Sequence, residues 1–448
     1  MSEVGGKAHV LLLGASGFVG ACLLDKLLCA GYQVTCGRRK PPQLPRCRSV
    51  IVDYNRDWSE SDWLPRLAGI DVVINAVGIL RETGAATFAA LHIAAPGALF
   101  RACVHAGVKK VIQISALGAD ALATTGYHRS KKEADDELAS LPVPSIIVQP
   151  SLVFGENGAS TRLFTTLAAL PLVPIPGDGA QGVQPVHIDD LAEMIVRLVE
   201  TSRFDHQRIA AVGPCPLTLR DYLRGLRLAM GLGEPRYLHV PMALVRAAAA
   251  LGERLSRTLL DRDALAMLIR GNVASANAIA TVLGRAPRPI EAFIKPASAR
   301  AIANDARLAW LLPLLRLSVA LLWIITGIVS LGLYPVSESY ALLARVGLVD
   351  VAASIALYGA ALLDLAFGVG IFLMRQRKWL WRVQMLLIVI YTVIITVYLP
   401  EFWLHPYGPV LKNLPLLAAI GMLHEFEQPD ERAGVTKWSR INSGIPHR

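Results

Sequence analysis

The sequence predicts a doubly wound α/β domain on a parallel sheet, followed by an all-α bundle of four transmembrane helices. Three observations carry that expectation. Short β-rich runs alternate with helical stretches from Ala8 to about Val212. A glycine-rich turn, Gly14-Ala15-Ser16-Gly17-Phe18-Val19-Gly20, separates the first strand from the first helix. After Asn304 the composition turns abruptly apolar.

The bulk composition agrees. Hydrophobic residues make up 53% of the 448, and the mean hydropathy of +0.44 is high for a chain without membrane spans. The net charge of +10 comes with no aromatic-interleaved basic stripe and no finger spacing, which argues against nucleic acid as a partner. Basic residues gather instead at the ends of apolar segments, as Arg375, Arg377, Lys378 and Arg382 do, where lipid headgroups lie. Six cysteines (Cys22, Cys29, Cys36, Cys47, Cys103, Cys215) lack CxxC pairs and histidines at ligand spacing, so buried reduced thiols are expected, and no metal site.

The sheet strands are read in HVLLLG, YQVTCG, SVIVDY, DVVINAVG, KVIQISA, PSIIVQP and IAAVG. HVLLLG runs into the glycine turn without a charged leader or a small-residue cleavage site. It therefore reads as a strand, with the N-terminus on the cytoplasmic side. This organisation gives a nucleotide-binding domain over residues 1–215 and a mainly helical substrate or connector region over 216–304. Thr218, with Asp221 three residues later, marks a helix start in the connector. An Ala/Leu helix from Met242 to Leu260, punctuated by Arg246, Arg254 and Arg257, either packs on the domain or lies at a membrane surface.

The transmembrane domain spans 305–425 and a cytoplasmic tail 426–448. Its spans are expected at Leu317 to Tyr334, Val351 to Met374, Lys378 to Leu399 and Tyr407 to His424. The basic link at Arg375 to Lys378 and the more acidic loops with Glu338, Asp350 and Glu401 place both termini in the cytoplasm. Asp364, deep in the second span, needs a partner, for which Lys412 and Arg382 are candidates.

The glycine turn has the chemistry of a dinucleotide cradle. Gly14 permits the tight turn, Gly17 lets backbone amides approach a pyrophosphate, and Gly20 permits close helix–strand packing. Ser16, Phe18 and Val19 belong to the same loop, and the helix N-terminus behind it favours negative charge. Strand two ends in Arg38 and Arg39, where NAD binders usually carry an acid. Guanidinium groups match a 2′-phosphate, so NADP is expected, with NAD the alternative and simple solvation of the arginines the plain reading. Asp53 and Tyr54 close the third strand, where an adenine contact is expected. Asn75-Ala76-Val77-Gly78 closes the fourth with small residues that leave room for a cofactor.

Tyr127 and Lys131 form a Tyr-x-x-x-Lys pair on one helix face, with Ser115 at the end of the preceding strand. A lysine ammonium beside a phenol can lower its pKa and make it a usable acid or base. Together GASGFVG, NAVG, ISA, YHRSK, QPSLVFG and PVHIDDLA resemble the short-chain dehydrogenase/reductase family in its extended or atypical branch, a Rossmann fold, over roughly residues 8 to 215. By that resemblance Tyr127 is the proton donor or acceptor, Lys131 holds the nicotinamide ribose, Ser115 orients a substrate carbonyl or hydroxyl, and Pro150 to Val153 lie near the nicotinamide. INAVGIL and SALGAD are similar to the subgroup that includes the dinucleotide-binding accessory subunit of respiratory complex I. His92 stands where the extended family usually has Asn, which departs from its proton relay. LDLAFG and PVLKNLP resemble the DoxX-like membrane family over about residues 310 to 424.

The resemblance implies a membrane-anchored NAD(P)-dependent oxidoreductase whose partners are the dinucleotide, the lipid bilayer and a hydrophobic substrate. Its alternative is a non-catalytic dinucleotide-binding member of a membrane complex.

Overall fold

The computed structural model describes residues 7–39, 47–254 and 261–427. The chain divides into two compact units, Met1–Arg307 and Leu308–Arg448.

The first unit is built on seven parallel strands: β1 (His9–Leu13), β2 (Gln33–Arg38), β3 (Arg48–Ile51), β4 (Val72–Asn75), β5 (Lys110–Ile114), β6 (Ser145–Pro150) and β7 (Gln207–Ala211). Their spatial order is β7-β6-β5-β4-β1-β2-β3. Val10, Leu11, Leu12 and Leu13 are all fully buried, because helices cover both faces of the sheet. The period of two then sorts them. Val10 and Leu12 join Leu23 and Leu27 of α1 (Phe18–Cys29) in one core. Leu11 and Leu13 join Leu99 and Phe100 of α2 (Ala95–His105) in the other. Each such side chain stabilises the fold by about 1.5 to 3 kcal/mol through burial.

The strand order reverses between β1 and β4, and open parallel sheets bind ligands outside the strand ends at such a switch. Gly14, Ala76 and Ser115 follow β1, β4 and β5 at that edge. Helices dominate the described part of residues 216–304. Thr218 caps the helix Leu219–Ala229 by accepting the Asp221 amide at 3.0 Å. Met242–Arg254 and Arg262–Arg270 pack through Val245, Ala249 and Leu265, while Leu244 and Leu251 stay exposed.

Among the described residues, three helices are long and apolar enough to cross a bilayer: Pro296–Leu333, which starts in the first unit, Asp350–Leu373 and Lys378–Tyr398. The fourth expected span differs. Pro406, Gly408 and Pro409 break its first half, and the helix that follows is only Asn413–Phe426, about 21 Å long against the ~30 Å of hydrocarbon. Glu427 is 7% exposed and accepts from Arg316 at 3.2 Å, Arg377 at 2.9 Å and Trp381 at 3.2 Å, so Arg377 is bound within the protein. The expected partners of Asp364 do not reach it. Arg382 donates to His424 at 3.0 Å, Asp364 Oδ1 is buried without a hydrogen-bond partner, and no ion pair to it exists among the described residues. The 426–448 tail lies almost entirely outside those residues.

Candidate active site

Gly14 has φ +80°, and a Cβ there would meet the Ala76 backbone at 2.8 Å. A Cβ on Gly20 would fall on the Gly14 carbonyl oxygen. Both positions therefore require glycine. Gly17 is the N-cap of α1 and is exposed together with Ser16, leaving the first turn's amides open. Val19 stays half-buried on the first turn. The Phe18 ring packs where side chains on Gly155 or Gly158 would stand, so it braces the cradle's outer wall. A cradle kept free of side chains at a helix N-terminus fits a pyrophosphate.

At the end of β2, Arg38 is half-buried, its Nε without a hydrogen-bond partner among the described residues, and Arg39 is exposed. A buried, unpaired guanidinium nitrogen fits a site awaiting an anion. One expectation fails here. Tyr54 is 6% exposed, packs edge-on against Trp63 and donates to Asn75 at 2.8 Å, so it is a core residue. The Asp53 carboxylate accepts the Asn55 amide at 3.1 Å within its own turn. Not all thiols are buried either: Cys29 and Cys215 are exposed.

The Ser-Tyr-Lys residues converge because α3 (Gly126–Ser140), capped by Thr125, lies beside the ends of β4 and β5. Lys131 is 3% exposed and donates to Ile114 O at 3.0 Å and Val77 O at 3.3 Å. Gly78 leaves the space this requires, since a Cβ there would lie 3.1 Å from Lys131 Nζ. Burial lowers Lys131 to about 8, opposed by Asp135. Tyr127 packs near Phe88, His92 and His128. Its phenol is pushed up to about 12, by burial first and then by Asp135, so the expected lowering by lysine is absent. Pro150 O accepts the Leu117 amide at 2.9 Å, and Val153 pairs with Val186, which fixes the segment after β6.

The structure adds one residue, Asp135, and defines the bonding of His92. Asp135, one turn beyond Lys131, is fully buried; its Oδ2 accepts from Ser115 Oγ at 2.5 Å while its Oδ1 has no hydrogen-bond partner among the described residues. Burial raises this carboxyl to about 6 against the pull of Ser115 and Lys131. His92 Nε2 accepts the Ile79 amide at 3.0 Å, so its proton sits on Nδ1 and is shared with Ser130 Oγ at 2.8 Å. Ser130 in turn donates to Tyr127 O at 2.9 Å. Burial, then Lys131, lowers His92 to about 3, and it is neutral near pH 7. Both of its nitrogens are committed to structure.

A glycine cradle at the switch of a parallel sheet, with serine, tyrosine and lysine beside it, defines a dinucleotide-binding α/β domain of the epimerase and dehydrogenase type. Residues 10–213 match the NAD dependent epimerase/dehydratase family and residues 320–421 the DoxX-like family. The chain carries a domain of the first family and, beyond it, a domain of the second. Subunit 9 of the NADH dehydrogenase (ubiquinone) 1 alpha subcomplex is a homologue. The Arabidopsis thaliana protein is 26% identical over 55% of this chain and 65% of its own length. The Mus musculus protein is 30% identical over 47% and 59%. The chain thus spans about 60% of these relatives. The mitochondrial protein fmp52 of Aspergillus niger is 32% identical over 34% of this chain and 70% of its own. Two solved structures share the fold. A nucleoside-diphosphate-sugar epimerase from Staphylococcus aureus has TM-score 0.52 at 14% identity, covering 64% of this chain and 99% of its own. A human epimerase family protein with NADPH has TM-score 0.50 at 19% identity, covering 66% and 99%.

Proposed function

We propose that this chain is a membrane-anchored oxidoreductase that uses a nicotinamide dinucleotide, NADPH in preference to NADH, on the carbonyl or hydroxyl group of an apolar substrate. The observation that carries this reading is the convergence of Ser115, Tyr127 and Lys131 beside the glycine cradle. Gly14, Gly17 and Gly20 would hold the pyrophosphate, Arg38 and Arg39 the 2′-phosphate, and Lys131 the ribose, through the donor that Val77 and Ile114 leave free. Ala76, Val77, Gly78, Pro150 and Val153 would bound the ring site. The bound cofactor supplies or accepts hydride. Tyr127 holds the proton at its phenol oxygen. Ser115, its own hydrogen given to Asp135, turns lone pairs to the site and accepts from a hydroxyl.

The apolar substrate is inferred from the membrane domain, and from Leu80 and Leu122, both exposed beside loops that flank the site. Both termini and the nucleotide domain are assigned to the cytoplasmic side from the basic link at Arg375 to Lys378.

A second reading, a dinucleotide-binding accessory protein of a membrane complex, is favoured by the commitment of both His92 nitrogens and by the NADH dehydrogenase relatives. The test is to purify the full chain in detergent, identify the nucleotide that leaves with it on denaturation, and follow nicotinamide absorbance with farnesal and decylubiquinone as probes. Turnover with either supports the enzyme. Bound nucleotide with no turnover on any apolar carbonyl or quinone would favour the accessory role.

A further inference from the structure

Cys36 and Cys47 lie eleven residues apart in sequence, yet their sulfurs are 3.0 Å apart. The parallel pairing of β2 with β3 brings them together. Thr35 is opposite Arg48 and Cys36 opposite Ser49, so Cys47 stands just before the ladder, diagonal to Cys36 and on the same face. A disulfide needs sulfurs about 2.05 Å apart, which leaves only about 1 Å to close. No other pair of cysteine sulfurs is so close among the described residues. The two thiols differ in access: Cys36 is fully buried and Cys47 is part-exposed. Two residues from Cys36 is Arg38, whose guanidinium offsets part of the effect of burial and of Cys47, which together push the Cys36 thiol up to about 12.

We propose that Cys36 and Cys47 form a reversible disulfide by exchange with small-molecule disulfides of the glutathione type, and that this bond weakens the Arg38 hold on a 2′-phosphate. Cys47, the accessible thiol, attacks as thiolate. One S–S bond of the small disulfide breaks, a mixed disulfide forms at Cys47, and one small thiolate leaves. Cys36 attacks the Cys47 sulfur, its proton passing to the departing second small thiolate, and the protein disulfide forms. The protein loses two electrons and two protons, and the small disulfide becomes two thiols. The bond draws Cys36 toward Cys47 and removes the thiol that Arg38 faces, so the guanidinium loses the placement a bidentate phosphate contact demands. Where thiols are kept reduced, a disulfide-forming pair is usually transient and redox-sensing.

The consequence for cofactor choice rests on the assignment of Arg38 to the 2′-phosphate; the thiol chemistry does not. The full chain in detergent is incubated with oxidised glutathione, then with dithiothreitol, and each state is analysed by peptide mass after alkylation and by fluorescence titration with NADPH and NADH. The expected result is a 36–47 linked peptide that dithiothreitol reverses, with NADPH affinity lower by about threefold or more, a shift well within titration accuracy, and NADH affinity unchanged. Cys47→Ser, which leaves the Cys36 thiol beside Arg38, should form no linked peptide and keep its NADPH affinity in oxidised glutathione. Adducts on both cysteines without a linked peptide, or a linked peptide with unchanged NADPH affinity, would overturn the proposal. Reduced protein that binds both cofactors equally would sink the NADPH assignment instead, while the linked peptide still decides the thiol chemistry.

Discussion

Ser115 gives its hydroxyl hydrogen to Asp135 across 2.5 Å, and both groups are closed off from solvent. The carboxylate is thus the hidden member of the site, holding Ser115 as an acceptor and countering the charge of Lys131. Its pKa is raised in the folded state from 3.8 to about 6. Between those values the folded protein binds more protons than the unfolded one, so stability falls as pH rises through the window. Thermal unfolding of wild type and Asp135→Asn from pH 4 to pH 7 should show this. The wild type should lose stability relative to the variant, by about 3 kcal/mol at most, and the difference should level off above about pH 6. A difference that stays flat with pH would show that Asp135 is not the group that titrates.

Gly20→Ala tests the cradle. The added methyl has no room against the Gly14 carbonyl, so it should destabilise the chain by roughly 1 to 3 kcal/mol and abolish nucleotide binding. Gly107→Ala is the control. Its φ of +68° strains an L-residue, but nothing lies within 4 Å of the new Cβ, so it should cost about 1 kcal/mol and leave nucleotide binding intact. Equal binding by the two variants would refute the close approach as the reason for glycine at position 20.

The sheet was legible because parallel strands buried on both faces read as unbroken apolar runs, and Val10 to Leu13 is such a run. The cradle was legible because only glycine satisfies its geometry. Asp135 was missed although its signal was present: steps of four from Tyr127 through Lys131 reach it on the same helix face. Around it Lys132, Glu133, Asp136 and Glu137 make a charged stretch that reads as solvated surface. Tyr54 went wrong for the opposite reason, since a strand end tells where the backbone stops and not which way a ring turns. The hydrogen bond to Asn75 and the packing against Trp63 draw it inward. At 407–424 apolarity alone suggested a span, and the prolines and Gly408 ahead of Asn413 limited the helix.

Arg38 and Arg39 carry the cofactor preference. Replacing both by Ala should weaken NADPH binding by about 1 to 3 kcal/mol for each charge-assisted hydrogen bond removed and leave NADH binding nearly unchanged. Calorimetry with both cofactors decides it, and an equal weakening for both would remove the preference.

Orientation is open to thiol labelling on intact cells. Ser337→Cys, before Asp350–Leu373, should react with an impermeant maleimide, whereas Gln376→Cys, in the basic link, should react only after lysis. The native Cys29 and Cys215 are exposed on the nucleotide domain and should behave as Gln376→Cys does. The reverse pattern would invert the topology.

Tyr127 separates the enzyme from the accessory protein. In the enzyme its phenol transfers a proton as hydride moves, and the pKa near 12 set by burial and Asp135 keeps that proton in place until the reaction needs it. Tyr127→Phe keeps the ring packing against His92 and His128 and deletes the acid. Turnover should drop by about 10²- to 10⁴-fold while cofactor affinity holds. Lys131→Ala should reduce both, because in this reading the lysine holds the ribose and also counters the charge of Asp135, which acts on the phenol. Gly17→Asp, which sets a negative side chain at the mouth of the cradle, should abolish binding in either reading. The deciding measurement places Tyr127→Phe beside Gly17→Asp in cells that depend on this chain. If Phe at position 127 supports full function while Asp at position 17 supports none, the nucleotide is structural, and the chain holds a dinucleotide without turning it over.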